Sequence, residues 1–189
     1  IITDEIIKWV ELTESKSQYT IKEIVEATKN IDAIVTHEPG GTNVGERIRE
    51  ILLDQNTTHI DRMSELLLMF AARAQHLEEI IRPALRKNIW VLCDRFTDAS
   101  YAYQGGGRGV PLLQIQEIET LVQGSFRPNL TILLTCDIKT SMKRIAKRGG
   151  EDRFEKEQDE FFERVQQTYL QLANKHPQRY GLVDADQSV

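Results

Sequence analysis

Several features are missing from this sequence, and each absence excludes a class of protein. No uninterrupted apolar stretch approaches the ~20 residues that a membrane-spanning helix needs. The net charge of -5 argues against a general nucleic-acid-binding protein. Cysteine is scarce, because only Cys93 and Cys136 are present, at predicted strand ends and without metal-ligand spacing. We therefore expect a cytoplasmic protein with two reduced thiols and with neither a membrane nor a nucleic acid as its partner.

Glycine is absent before Gly40. Residues 6–12 predict a first strand, and residues 17–28 have the apolar spacing of an amphipathic helix. A strand, loop and helix that cradle phosphate normally carry G-x-x-x-x-G-K-S/T, because glycines let backbone N–H groups approach the phosphates. Lys16 and Ser17 stand in that context, but Val10 and Ser15 occupy the glycine places. The pattern indicates either a degraded phosphate loop or a surface Lys-Ser pair that begins a helix.

The rest of the chain alternates short apolar runs with amphipathic segments. The runs predict strands at residues 32–36, 89–93, 130–136 and 180–183, and the segments predict helices at 44–53, 63–86, 111–122, around 143–148 and at 160–173. At 189 residues the chain is long enough for one domain with a large core. The alternation predicts an α/β fold: a doubly wound parallel sheet of about five strands with flanking helices and right-handed crossovers.

Asp94 and Arg95 follow the apolar run at residues 89–93, where a buried parallel strand would end. Ligands of open α/β sheets lie at this carboxyl edge. A carboxylate suits Mg²⁺ or its waters, and a guanidinium forms a planar fork for phosphate oxygens. The alternative is a simple ion pair at the strand end. The polar, glycine-rich residues 96–109 favour the binding site, because such a segment is typical of a loop around a ligand.

Two other polar residues occupy positions that turn formation or helix packing alone does not explain. Glu38, before the turn-forming Pro39, is predicted to project from the same sheet edge as Asp94. Arg73 interrupts the apolar stripe of the helix at residues 63–86, so it must either extend to solvent or meet a partner. Beside an aromatic ring, this arginine could also donate to the carbonyl of a base that stacks on the ring.

A basic helix near residue 145 precedes a glycine pair at 149–150 and the sequence DRFE at 152–155. Arg144 and Arg148 lie one turn apart on the same helix face. The pattern is typical of a solvated basic face or a weak nucleic-acid patch. It is equally typical of a mobile cationic lid, because glycines supply a hinge and arginines can meet a phosphate in transfer.

Five segments in register resemble bacterial thymidylate kinase. They are THEPGGT (36–42), LMFAARAQH (68–76), DRFTDASYAYQGGGRG (94–109), RPNLT (127–131) and DRFE (152–155). Together they extend the resemblance from about residue 33 to residue 188. The resemblance implies a P-loop NTPase fold of nucleoside monophosphate kinase type in a single domain, residues 1–189, usually as a homodimer. It also implies transfer of the γ-phosphoryl group of ATP to dTMP with Mg²⁺, giving dTDP and ADP.

The resemblance further implies the residues of the acceptor site. Arg49 and Arg95 would hold the dTMP phosphate, Arg73 would bond the thymine carbonyl, and Tyr103 would disfavour a ribose 2′-hydroxyl. The side chain that stacks on the base stays open between Met69 and Phe70. The implied dTMP-binding set is Glu38, Pro39, Arg49, Met69, Phe70, Arg73, Arg95, Ser100, Tyr103 and Gln104.

On the donor side, the resemblance implies a lid at about residues 144–156. Asp94 would lie near Mg²⁺ and the attacking phosphate. The residues implied in ATP binding are Lys16, Ser17, Arg144 and Arg148, and those implied in catalysis are Asp94, Arg95, Arg148, Arg153 and Lys16. The sequence departs from the family in having His37 in place of an arginine and no glycines in the phosphate loop. Two alternatives therefore stay open: a dTMP-binding homologue with impaired catalysis, and a kinase for another nucleoside monophosphate.

Overall fold

The computed structural model describes residues 9–13, 32–57, 59–148 and 152–186. These residues form one five-stranded, wholly parallel sheet with the strand order β2-β3-β1-β4-β5. The strands are β1 (Trp9–Thr13), β2 (Ala33–His37), β3 (Trp90–Asp94), β4 (Leu130–Thr135) and β5 (Tyr180–Asp184). The chain passes from β1 to β2 in one direction along the sheet and from β3 to β4 in the other. This reversal places a topological switch point between β1 and β3, where ligands of such sheets bind.

The carboxyl ends of β2 and β3 meet at this edge. β3 is apolar on both faces, and Val91 and Cys93 are fully buried. Its parallel register with β2 sets His37 beside Asp94. The Glu38 backbone N–H donates to the Asp94 carbonyl at 2.9 Å. The structure thus confirms that Glu38 and Asp94 leave the sheet at the same edge.

Helices cover the sheet and connect its strands. They are α1 (Asn43–Leu53), α2 (Arg62–His76), α3 (Arg82–Arg86), α4 (Thr97–Ser100), α5 (Leu112–Gln123), α6 (Ile138–Arg148) and α7 (Asp159–Lys175). One π-helical segment, Leu77–Ile81, joins α2 to α3, and a second, Tyr101–Gly107, continues α4. Polar side chains fix two of the helix starts, because the Thr42 hydroxyl accepts from the Gly45 N–H and the Asp61 carboxylate accepts from the Met63 and Ser64 N–H groups.

The predicted elements agree with these bounds to within a few residues, and the predicted first strand ends one residue early. Residues 6–8 of that strand, and the whole of the helix predicted at 17–28, lie outside the described residues. Among the helices that the structure does describe, none combines the length and the apolar character needed to cross a membrane.

The glycine-rich stretch after Asp94 was predicted to be a loop, and that prediction is wrong. Residues 97–107 are helical, first as α4 and then as the second π-helical segment. The glycines serve the packing of α7: a Cβ on Gly106 would lie 2.1 Å from Thr168 Oγ1, and one on Gly107 would lie 2.3 Å from Phe161 Cε2. Arg164 of α7 donates to both glycine carbonyls, at 3.2 and 3.0 Å. Glycine here permits close helix contact rather than a turn.

The largest core cluster of the described residues lies between α7, the second π-helical segment and the sheet. It contains Ala102, Leu133, Phe154, Phe161, Val165, Tyr169, Ala173 and Tyr180. A second cluster packs β3 against the first π-helical segment and α3, and a third packs α2 against α5. These clusters hold α2 and the second π-helical segment rigidly beside the carboxyl edge of β3.

Candidate active site

A pocket opens at the carboxyl edge of the sheet, between α1, α2, the chain that follows β3 and the segment before α7. Its lining residues are Glu38, Pro39, Arg49, Leu53, Met69, Arg73, Asp94, Arg95, Phe96, Ala99, Ser100, Tyr103, Gln104, Asp152, Phe154, Glu155 and Phe162. The pocket therefore brings together every residue predicted for the acceptor site except Phe70. Its walls are partly aromatic and partly charged, as in sites for small polar ligands with a planar ring.

Arg73 is the most buried cation of the pocket, with 2 % of its side chain exposed. Its Nε donates to Glu38 Oε2 at 2.7 Å, and its Nη2 donates to the Phe96 carbonyl at 3.2 Å and to Ser100 Oγ at 3.1 Å. Its Nη1 is buried and has no hydrogen-bond partner among the described residues. The arginine therefore meets a partner instead of extending to solvent, and it keeps one donor group available for a ligand.

Phe70 packs against the guanidinium of Arg73 instead of lining the pocket. The Arg73 Cζ lies 4.4 Å from the Phe70 ring centroid and 5.2 Å from that of Phe96. Met69 does line the pocket, and so does Phe162, which sequence analysis gave no role. Phe70 thus stabilises the arginine by a cation–π contact, while Met69 and Phe162 supply apolar surface for a ring.

The surroundings of the Asp94 carboxyl suit either a bound cation or a bound proton. Its Oδ1 is buried and has no hydrogen-bond partner in the described part of the chain. Burial raises the pKa of this carboxyl, although the charges of Arg95, His37 and Arg49 partly offset that effect. An unpartnered carboxylate oxygen is a ligand that Mg²⁺ prefers, so the residues present fit a magnesium ion at this position.

Arg95 adopts a backbone conformation that is rare for its residue type. Its φ is +66°, in the left-handed region, and such strain is concentrated at ligand-binding positions. Its guanidinium carbon lies 4.7 Å from the Tyr103 ring centroid. Burial works to lower the pKa of this guanidinium, but Tyr103, Tyr169 and Asp94 outweigh burial and hold the pKa above its ordinary value. Arg95 is thus a permanent cation at the pocket.

The basic side chains nearer the loop after β2, Arg49 and His37, are bonded to neighbouring groups. Arg49 Nη1 donates to the Pro39 carbonyl at 2.9 Å, and Arg49 lines the pocket. His37, which stands where the resemblance expects an arginine, lies 2.9 Å from Glu46 through its Nε2. Glu46 Oε1 also accepts from the Gly41 N–H at 2.7 Å, so it fixes the turn that carries Glu38 and Pro39.

The polar residues of α4 and the second π-helical segment are held by partners within the protein. Ser100 Oγ accepts from Arg73, and Gln104 Nε2 donates to Glu65 Oε1 at 2.9 Å. The Tyr103 ring meets the Phe154 ring edge to face, with centroids 5.8 Å apart. The Tyr103 hydroxyl is hydrogen-bonded to the Arg95 guanidinium, so Gln104 Oε1 is the group of these three side chains that can still meet a ligand.

The segment before α7 closes one side of the pocket through Asp152, Phe154 and Glu155. Asp152 and Glu155 hold each other's backbone N–H groups, at 3.2 and 2.9 Å. Arg153 does not line the pocket, because its Nε donates to the Leu52 carbonyl at 2.8 Å and its Nη2 to Glu65 Oε2 at 2.6 Å. The motif quoted at 152–155 identified this segment, but no local pattern indicated Glu65 as its partner.

Most of the predicted donor side cannot be compared with the structure. Lys16, Ser17 and residues 149–151 lie outside the described residues, and so does the side chain of Arg148. Arg144 is described: its Nη2 donates to the Ala185 carbonyl at 2.8 Å, and it is not among the lining residues of the pocket. The assignments of these residues to ATP stay predictions.

The sheet order and the pocket at its carboxyl edge define a P-loop NTPase fold of the nucleoside monophosphate kinase type. The family model described as thymidylate kinase matches residues 16–189. The chain belongs to the thymidylate kinase family.

Individual relatives agree with this family. The chain is 52% identical over 161 residues to a thymidylate kinase of Ectopseudomonas mendocina, covering 85% of this chain and 77% of the relative. It is 51% identical over 165 residues to one of Nitrosospira multiformis, covering 87% of this chain and 78% of the relative. Among solved structures, a thymidylate kinase from Ehrlichia chaffeensis matches with a TM-score of 0.73 at 27% identity, covering 93% of this chain and 87% of that one.

Proposed function

We propose that the protein transfers the γ-phosphoryl group of ATP to dTMP, giving dTDP and ADP. One observation supports this function above the others: Asp94, which we assign to Mg²⁺, and Arg95, which we assign to phosphate, share a pocket with Arg73, whose Nη1 has no partner among the described residues. A nucleoside monophosphate has an anion at one end and a base with carbonyl acceptors at the other. The pocket offers a cation to each end.

In this proposal, Arg49 and Arg95 hold the phosphate of dTMP and Arg73 donates to a thymine carbonyl. Pro39 and Met69 contact the nucleoside, and the Tyr103 ring beside Arg95 leaves little room for a ribose 2′-hydroxyl. The remaining members of the acceptor set are Glu38, Phe70, Ser100 and Gln104, of which Glu38, Phe70 and Ser100 contact Arg73 directly.

The reaction needs alignment and charge compensation more than covalent chemistry from the protein. Asp94 would hold Mg²⁺, which supplies neutralising charge for the donor phosphates when it is bound. Arg95 remains cationic and keeps the acceptor phosphate in place. We assign ATP contacts to Lys16, Ser17, Arg144 and Arg148, and a catalytic role to Lys16, Arg148 and Arg153 within or beside a lid at residues 144–156.

The same proposal covers the setting of the enzyme. We assign residues 1–189 to one kinase domain, acting in the cytoplasm as a homodimer. Val44 and Ile51 of α1 and Leu67 of α2 are each about half exposed, and these two helices pack on each other. Exposed apolar residues on neighbouring helices support a dimer contact there. The net charge of -5 supports a small-molecule substrate rather than nucleic acid.

The test measures ADP formation from ATP with dTMP, dUMP, dCMP and GMP as acceptors. We expect dTMP to give the highest kcat/KM, at least about tenfold above the others, because pocket shape and one buried donor discriminate by that order. Asp94→Asn should lower kcat by about 10²-fold or more while calorimetry still detects dTMP binding. Preference for another acceptor, or dTMP binding without any turnover by the unmodified protein, would contradict the proposal.

A further inference from the structure

A buried chain of hydrogen bonds ends at Arg73. It begins at Thr36 on β2, whose Oγ1 lies 2.6 Å from His76 Nε2. His76 Nδ1 lies 2.9 Å from Glu38 Oε1, and Glu38 Oε2 accepts from Arg73 Nε at 2.7 Å. His76 is fully buried and Glu38 is 3 % exposed at its side chain, so water does not compete for these bonds.

The direction of the proton at His76 follows from its partner. The Glu38 carboxylate is paired with Arg73 and can only accept hydrogen bonds, so His76 Nδ1 must carry the hydrogen. In a neutral ring, Nε2 then accepts from the Thr36 hydroxyl; in a charged ring, Nε2 donates to it. In both cases Thr36 fixes the plane of the ring and the ring fixes the carboxylate.

The carboxylate in turn fixes the guanidinium. Glu38 holds Arg73 Nε, while the Phe96 carbonyl and Ser100 Oγ hold Nη2. Nη1 is therefore the single nitrogen of this guanidinium left without a partner among the described residues. If the carboxylate turned, the planar guanidinium of this pocket residue would turn with it, and Nη1 would be displaced.

The turn after β2 packs directly on the beginning of this chain. Gly41 has a φ of +77°, and a Cβ there would lie 2.6 Å from Thr36 Oγ1 and 2.7 Å from His76 Nε2. Glu38, His76 and Cys93 also offer ligand atoms within 4.8 Å of one another, as in a metal site. Both oxygens of the Glu38 carboxylate and both nitrogens of the His76 ring already have protein partners, however. We therefore interpret the cluster as a support for Arg73 rather than as a metal site.

We propose that His76, anchored by Thr36, is a positioning residue for recognition of the acceptor base. It holds the Glu38 carboxylate so that Arg73 presents Nη1 to the base. The inference rests on the proposed function, since it takes the assignment of Arg73 to the thymine carbonyl as given.

The test compares two substitutions of His76. His76→Leu removes both ring nitrogens, and we expect the KM for dTMP to rise about tenfold, because a hydrogen bond to a buried charge is lost. The KM for ATP should change by less than about twofold. His76→Asn offers an amide N–H near the position of Nδ1 and should recover most of the affinity for dTMP. His59→Leu, at an exposed histidine, is the matched control and should change neither constant.

A double-mutant cycle separates positioning from a general structural effect. In an Arg73→Lys background, Nη1 no longer exists, so His76→Leu should add less than about a twofold further rise in the KM for dTMP. A merely structural role would raise KM by the same factor in both backgrounds, and that result would overturn the proposal. Thr36→Val, which removes only the anchoring hydroxyl, should raise KM in the same direction by a smaller factor, and it tests the proposal if His76→Leu does not fold.

Failure of the inference and failure of the proposed function are distinguishable. If Arg73→Lys itself leaves the KM for dTMP unchanged, the assignment of Arg73 to the base is wrong and the inference is wrong with it. If Arg73→Lys raises KM but neither His76→Leu nor Thr36→Val does, the proposed function stands and only the positioning role is wrong.

Discussion

Two carboxylates are buried beside α2, and they differ in what their partners do. Glu38 comes from the turn after β2 and binds one arginine and one histidine. Glu65 comes from the first turn of α2 and binds Gln104, Arg108 and Arg153. Both lie out of water, where an unpaired charge is costly, and both are compensated by cations.

The two clusters leave different groups available. Arg73, the partner of Glu38, keeps a buried donor without a partner among the described residues, and it lines the pocket. Arg153, the partner of Glu65, uses its Nε on the Leu52 carbonyl and its Nη2 on the carboxylate. The Glu38 cluster thus prepares a cation for a ligand, whereas the Glu65 cluster ties the segment before α7 to α1 and α2. We expect changes at Glu38 to affect mainly substrate binding and changes at Glu65 to affect mainly stability.

The largest expected effect is that of Glu65→Leu on the free energy of unfolding. The substitution leaves Arg108 and Arg153 mostly buried without their shared carboxylate, and it should lower that free energy by about 3–5 kcal/mol. Denaturant titration of the folded protein measures it. Glu117→Leu, at an exposed glutamate of α5, is the control and should stay within about 0.5 kcal/mol. If Glu65→Leu lowered the free energy of unfolding by less than about 1 kcal/mol, the Glu65 cluster would not have the mainly stabilising role that distinguishes it from the Glu38 cluster.

A smaller loss is expected from Arg153→Met. The substitution keeps the apolar stem but removes the hydrogen bond to the Leu52 carbonyl and the charged hydrogen bond to Glu65, which Arg108 and Gln104 still satisfy. About 1.5–3 kcal/mol of unfolding free energy should therefore be lost. Because the two residues are direct partners, the double variant with Glu65→Leu should lose less than the sum of the single losses. If the stability losses of the two single variants simply added in the double variant, Arg153 would not act through Glu65.

The smallest expected effect is a gain in stability from Asp94→Asn. Burial raises the pKa of Asp94 above its ordinary value of 3.8, so the folded state favours the protonated carboxyl. The unmodified protein therefore loses stability, relative to the variant, as pH rises from that ordinary value through the raised pKa. Unfolding midpoints measured from pH 4 to pH 8 should diverge with rising pH, with the variant more stable at neutral pH. Midpoints that converge at neutral pH would contradict the raised pKa.

The sequence was sufficient for the fold because its signals are local. Apolar runs of five or six residues, such as β3 and β4, alternate with amphipathic segments, and this alternation determines a parallel sheet. The stretch with Gly105, Gly106 and Gly107 was misinterpreted, since a glycine that permits a turn and a glycine that permits close packing look alike in one sequence. The reason for Gly106 and Gly107, the packing of α7, lies more than fifty positions further along the chain.

The acceptor site was predicted in part for the same reason. Glu38, Asp94 and Arg95 follow predicted strands, and Arg73 interrupts an apolar stripe, so each is visible locally. Their partners are not. Glu38 and Arg73 are separated by 35 positions, Glu65 and Gln104 by 39, and Glu65 and Arg153 by 88. His76 was present in a quoted motif, but a buried histidine reveals its role only when the folded chain shows its neighbours.

The close packing of α7 against Gly106 and Gly107 limits which stabilising substitutions this enzyme can accept. Replacing a helical glycine with alanine is a common way to raise heat resistance, because it restricts the unfolded chain. Here the added methyl group would collide with Thr168 or Phe161. The substitution would therefore push α7 away from the second π-helical segment, which carries Tyr103 and Gln104. Variants designed for higher thermal stability should therefore keep these two glycines.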